Sequence, residues 1–271
     1  MCLMNSSILE MYMSKQLLLA VSLVFAFSSA AWAHEVKYET STSQKSKKSK
    51  KSKKAKKAKK KGHVAPIDCP FAKKGLHKPG MKPFKDIQKY IQMLERKDRS
   101  SWQKPDVVVK ALGLKGHEKI ADVGAGSGYF SFRFAKVLPK GKVYSIDVEP
   151  EMLRYIHHTT IVKGINNVFI VFGEAGNPKV PKDSNVVFIC DVLHHVQKRA
   201  LWLKRIFDAV ASGTRIVVLE FKEGKLPKGP PAKMKIPKKS LIKMFTKAGF
   251  KMHSEKPKLL PYQEFIVFKK P

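Results

Sequence analysis

The sequence predicts an α/β fold, a mostly parallel sheet with helices on both faces. From Lys119 onward, short apolar runs alternate with segments of helical period, the pattern of strand–helix–strand units. Those runs are near-continuous in apolar residues, which suits strands buried on both sides. Four acids, Asp122, Asp147, Glu174 and Asp191, fall at or just after expected strand ends. Ligands of an open parallel sheet sit beyond the carboxyl ends of its strands, so these acids should gather at one rim.

Residues 1–33 read as a targeting segment, with Met13 an alternative start. Lys15 precedes the apolar run 17–27, and Ala31-Trp32-Ala33 before His34 has the small-x-small form of a signal-peptidase site. That run is about half the roughly twenty residues a membrane span needs. The expectation is an exported, periplasmic chain with a cleaved signal peptide. The alternative is a membrane-anchored chain facing the cytoplasm, because dense positive charge near an apolar run holds flanking sequence there.

Residues 34–66 form a lysine-rich arm. Between 45 and 61 there are 12 lysines and no acid. Like charges at this density cannot bury apolar surface, so disorder in isolation is expected. Taking those 12 away from the formal net charge of +33 still leaves +21 on the remainder. Such a chain is drawn to polyanions, and residues 45–61 are read either as a tether to anionic lipid or another polyanion or as a solvated spacer. The lysines lack interleaved aromatics or a base-reading fold, which argues against sequence-specific nucleic-acid binding. Cysteine is sparse (Cys2, Cys69 and Cys190), too few for a disulfide framework. Cys69 with His63 and His77 is too loosely spaced to assign a metal site.

Residues 67–104 lead into the main domain, 105–271. Ile87, Tyr90, Ile91 and Leu94 recur at helical spacing. Asp98, Arg99 and Trp102 follow, read from the residues alone as a helix-end ion pair beside a packed tryptophan. Pro105 opens a helix over 106–112. Strands are expected at 119–123, 143–148, 168–172, 186–190, 215–221 and 264–268. Helices begin at Phe130 and at Met152, and cover 201–210, with Trp202, Ile206 and Val210 inward, and 240–248, closed by Gly249.

The most informative stretch joins the first strand to its helix. Asp122 is followed by Gly124, Gly126 and Gly128 at alternate positions. Such glycines bend the chain sharply and leave no Cβ between main chain and ligand. A dinucleotide fingerprint would place its third glycine one residue later, and a carboxylate two residues before the first glycine repels phosphate while attracting a cation. The pattern Asp-x-Gly-x-Gly-x-Gly resembles the first motif of class I S-adenosylmethionine-dependent methyltransferases. Gly173-Glu174-Ala175 resembles that family's turn after the third strand, and Asp191-Val192-Leu193-His194-His195 its segment after the fourth. These matches run in register from about residue 105 to 269. Gly128-Tyr129-Phe130 and Leu259-Leu260-Pro261-Tyr262-Gln263 are similar to bacterial type-11/25 methyltransferase domains.

The resemblance implies a Rossmann-like, doubly wound, mostly parallel seven-stranded sheet with a last antiparallel strand. It implies S-adenosylmethionine as methyl donor, and a donor site made of Asp122, Gly124, Ala125, Gly126, Gly128, Asp147, Val148, Met152, Glu174, Ala175 and Asp191. Asp147, placed to accept from both ribose hydroxyls, fits any adenosine-containing ligand. Glu174 would reach the adenine amino group, with Val148 and Met152 against the adenine face. His194 and His195 are the candidate bases, since imidazole titrates near neutrality; Tyr129 and Tyr262 are candidates for the pocket wall. In that family the segment before the first strand often caps the pocket, which makes Asp98, Arg99 and Trp102 candidates for contact with a substrate. The acceptor is not identified by sequence. The alternative function is a non-catalytic, methyltransferase-like protein that binds anionic surfaces through its lysine arm.

Overall fold

The computed structural model describes residues 87–271. The expected signal peptide, the lysine-rich arm and the first part of the lead-in lie outside the described residues. Within them no helix is long and apolar enough to cross a membrane.

Three short helices come first: α1 (Ile87–Leu94), α2 (Arg99–Gln103) and α3 (Pro105–Ala111). Then follow β1 (Lys119–Val123), α4 (Ser131–Val137), β2 (Lys142–Asp147), α5 (Pro150–Val162), β3 (Val168–Phe172) and β4 (Val186–Cys190). A 3-10 turn, Leu193–His195, leads to α6 (Arg199–Ala209) and β5 (Arg215–Phe221), and a second, Ala232–Met234, to α7 (Lys238–Lys247), β6 (Lys251–Glu255) and β7 (Gln263–Lys269). Expected and observed boundaries agree within two residues for the six strands read from sequence.

The seven strands form one sheet in the order β3-β2-β1-β4-β5-β7-β6. The first five run parallel, and β7 lies antiparallel between β5 and β6. β6 is the strand that sequence patterning missed. Its Lys-Met-His-Ser-Glu run is exposed over four of five residues, so it carries neither an apolar run nor an inward-facing alternation.

The strands alternate between two apolar layers, as a period of two requires. Ile120, Phe188, Val217 and Leu219 face one layer, with Phe130 and Phe134 from the start and body of α4 and Val108 from α3. Ala121, Val187, Ile189 and Val218 face the other, with Trp202 and Ile206 from α6 and Phe245 from α7. Phe245 and Phe268 stack with centroids 4.2 Å apart. β4 lies mid-sheet and is covered on both faces, so small losses there are felt. Ile189→Val should cost about 0.5–1.5 kcal/mol, read as a lower urea midpoint at unchanged slope.

The start of α5 frees a rim residue for the site. Pro150 opens the helix, and the Glu149 side chain caps it by accepting the Glu151 N–H at 3.2 Å. That leaves Asp147 free of the capping duty and available to the neighbouring turn.

Candidate active site

The turn after β1 is built on three left-handed glycines: Gly124 at φ +73°, Gly126 at +56° and Gly128 at +81°. Side chains rarely adopt this region. At Gly124 a Cβ would lie 2.3 Å from Val192 Cγ2, and at Gly128 2.7 Å from Phe132 Cε2. These two glycines serve the fold. At Gly126 a Cβ would meet only Leu94 Cδ1, at 3.1 Å, so this glycine borders open space on its other sides. Ala125, between them, is buried.

Asp147 closes the turn from β2. Its Oδ2 accepts the Gly126 N–H at 2.8 Å and its Oδ1 the Glu149 N–H at 3.0 Å. Burial raises its pKa, and these amides oppose the shift. Each oxygen keeps a lone pair for a further donor. Val148 beside it is exposed, whereas Met152 is only 2% exposed and turns into the core.

Asp122 sits beneath the turn rather than on it. It is 3% exposed, and its Oδ2 accepts Ser131 Oγ at 2.6 Å, which in turn accepts Ser145 Oγ at 2.8 Å. Burial pushes its pKa up to about 7, despite the Ser131 hydrogen bond. Glu174 is half-exposed beyond β3 and paired with Lys179 Nζ at 2.7 Å; Ala175 next to it is exposed. An adenine contact by Glu174 therefore requires that ion pair to open.

Asp191, after β4, has a left-handed backbone at φ +59°. Its carboxylate accepts Gln263 Nε2 at 2.8 and 2.9 Å and Gln103 Nε2 at 3.2 Å. Burial, then the negative charge of Glu220, raises its pKa to about 7. Cys190 beside it is partly buried; Gln103 Nε2 donates to its Sγ at 3.2 Å.

His194 and His195 are separated by environment. His194 is buried and its Nδ1 lies 2.8 Å from Glu220 Oε2, while Glu220 Oε1 accepts the Leu193 N–H at 2.7 Å. Burial alone would lower the His194 pKa, but the Glu220 hydrogen bond and charge outweigh it and raise it. His195 is exposed and its ring packs 4.2 Å from that of His194; burial and the His194 charge lower its pKa.

Helices α1 and α2 lie across this rim. Leu94 covers Gly126, Glu95 Oε1 accepts a hydrogen bond from Ser127 Oγ, and the Arg99 guanidinium lies 3.9 Å over the Tyr129 ring. Arg133 also lies over that ring, at 4.0 Å. Trp102 packs against Phe221 and Tyr262, at 5.7 and 6.2 Å. Asp98 points elsewhere, paired with Arg96 at 3.0 Å and Lys228 at 2.8 Å. Two buried groups, Trp102 Nε1 and Tyr129 Oη, have no hydrogen-bond partner among the described residues, a cost that a bound ligand could remove.

Sequence reasoning missed Glu220, Gln103 and Gln263. No group of His, Cys, Asp and Glu among the described residues could hold a metal ion.

The residues present fit a sulfonium donor with an adenosyl group. Gly126 borders open space, Asp147 offers acceptors for hydroxyls, and buried carboxylates at Asp122 and Asp191 favour a cation over a phosphate. Asp147→Ala should weaken donor binding by about 1.5–3 kcal/mol in isothermal titration; native affinity in the variant would remove Asp147 from the ribose site.

Residues 114–263 match a family described as a methyltransferase domain. Over 84 residues the chain is 32% identical to a protein-L-isoaspartate O-methyltransferase of Ignicoccus hospitalis, which is 30% of this chain and 40% of that relative. A solved S-adenosylmethionine-dependent methyltransferase from Aquifex aeolicus superposes with a TM-score of 0.62 at 23% identity, over 66% of this chain and 95% of that one. Human N-acetylserotonin methyltransferase, solved with S-adenosylmethionine, gives 0.55 at 19% identity, over 68% of this chain and 56% of that one. These two likenesses speak for the fold. With the family match covering more than half of the sequence, the chain belongs to the class I S-adenosylmethionine-dependent methyltransferases.

Proposed function

We propose that the protein methylates an acceptor oxygen that begins protonated, with His194 as general base and Glu220 as its positioning residue. The observation that carries this reading is the buried Glu220–His194 pair, 2.8 Å apart. If Nδ1–H is donated to Glu220, the Nε2 lone pair is left to receive a proton. The donor supplies a methyl group already activated on a sulfonium. The chain's own work is to align the acceptor, exclude water and take the proton. Helices α1 and α2 exclude water, and Trp102, Phe221 and Tyr262 supply an aromatic wall. Asp122 and Asp191 provide negative charge for a cationic ligand. An amine or carbon acceptor that begins deprotonated would have no use for the pair.

The test is a panel of hydroxyl, amine and thiol acceptors with methyl-labelled S-adenosylmethionine. Transfer to hydroxyls supports the proposal; transfer confined to amines, unaffected by His194→Ala, would sink it. No donor binding at about 1 mM, equivalent to roughly −4 kcal/mol, would instead leave a non-catalytic binder of anionic surfaces.

Donor affinity should depend on pH through Asp122. Its carboxyl is protonated below about 7 and must ionise to attract a cation. The affinity should therefore fall about tenfold from pH 8 to pH 6, measured by isothermal titration at both values. Asp191, also raised to about 7, titrates in the same range, so Asp122→Asn should remove part of that slope and Asp122→Asn with Asp191→Asn most of it.

A further inference from the structure

We infer that the outer face formed by α3, α4 and the carboxyl end of α5 docks on an anionic lipid bilayer. This surface belongs to the described domain, and Glu95 and Tyr129 join it to the edge of the donor turn.

A groove of about 980 Å³ lies along this face. Apolar and basic residues share its lining: Val109, Phe132 and Ile165 with Lys110, Lys136 and Lys163. The Lys163 ammonium lies 5.4 Å from the centre of the Phe132 ring. Next to these residues the chain exposes large aliphatic side chains. Val137, at the end of α4, is 41% exposed, and Ile161 and Val162, at the end of α5, are 66% and 84% exposed. Consecutive aliphatics left in water at a helix end, flanked by lysines, gain free energy by entering the boundary between headgroups and acyl chains.

The charge at this face is available to a partner. Its two acids, Asp106 and Glu95, are outnumbered by four cations, Lys110, Arg133, Lys136 and Lys163. Lys110 and Lys136 have no ion-pair partner among the described residues. Three ammonium groups around protruding aliphatics match an anionic headgroup layer over hydrocarbon. Nucleic acid would use the lysines but gain nothing from Ile161 and Val162, because its bases stack on aromatic rings rather than on aliphatic side chains. The observations therefore favour a bilayer.

The test is cosedimentation of the full-length protein with vesicles of phosphatidylcholine containing about 30 mol% phosphatidylglycerol. Two double variants are compared with the parent: Ile161→Ser with Val162→Ser, and Lys136→Glu with Lys163→Glu. Each pair should lower vesicle partitioning about tenfold. The serine pair should keep its deficit at about 0.5 M salt, where the contribution of the lysine-rich arm is screened. Donor titration and thermal melting of both variants should match the parent. Should the serine pair fail to fold, Val162→Ser alone retains the test, with a drop of several-fold expected. Partitioning equal to the parent in both variants would overturn the proposal and leave membrane binding to the arm. It would equally be overturned if the glutamate pair lost binding to a short DNA duplex while the serine pair kept full vesicle partitioning.

Discussion

Gly126→Val should abolish donor binding in a chain that still folds. The backbone there stands at φ +56°, where a β-branched side chain is strained. An added Cβ already meets Leu94 Cδ1 at 3.1 Å, and the two methyls of valine must extend into the open space beside the turn. That space is where a ligand held by Asp147 would approach the main chain. Loss of more than about 3 kcal/mol is expected, equivalent to over a hundredfold in affinity, by isothermal titration. Circular dichroism and thermal melting separate this from global unfolding. Gly126→Ala serves as the milder variant and should fall between valine and the parent. If folded Gly126→Val binds the donor with native affinity, the glycine turn is structural only.

His194→Ala should lower turnover on a hydroxyl acceptor by about 10²–10⁴-fold, the usual worth of a positioned base, with donor affinity unchanged. Glu220→Gln reports on the mechanism more sharply. In the parent, His194 titrates above the ordinary imidazole value because Glu220 favours its charged form. The base must be neutral to accept a proton, so the acidic limb of kcat/KM should lie above about 6.5. Removing the carboxylate charge leaves burial in control, and burial lowers the pKa. The limb should then move to lower pH while the maximal rate falls. Proton NMR of the His194 ring gives the same pKa without any acceptor. An unshifted titration in Glu220→Gln would show that Glu220 does not position the base.

The sequence shows the sheet more readily than the site. Residues 186–190 read as a strand because an unbroken apolar run between turn signals has few other uses. Gly124, Gly126 and Gly128 mark their own turn because the backbone there needs left-handed angles. Glu220 gives no such signal. It lies near the end of an apolar run and looks like a strand's solvent-side residue, yet it is 1% exposed. Its partners, Leu193 and His194, lie 27 and 26 residues away in sequence and become neighbours only through the β4–β5 pairing. The link between Gln103 and Gln263 spans 160 residues and depends on α2 folding over the rim. Glu174 illustrates the opposite failure: its position after β3 is as expected, but Lys179 five residues later draws its carboxylate aside. Local pattern reveals elements; which polar side chains meet is decided by register and by competing local charges.

The position of β7 has a consequence for how the molecule is made. This strand is the last in sequence, yet it lies between β5 and β6 and aligns with β5 over seven residues. During synthesis β5 is produced some forty residues before the partner that covers its edge. Until residues 263–269 emerge, β5 presents open backbone groups, and β6 has no strand to pair with. The aromatic seam of Phe245 and Phe268 is incomplete for the same interval. Sheet closure must therefore follow translation of this segment rather than accompany it.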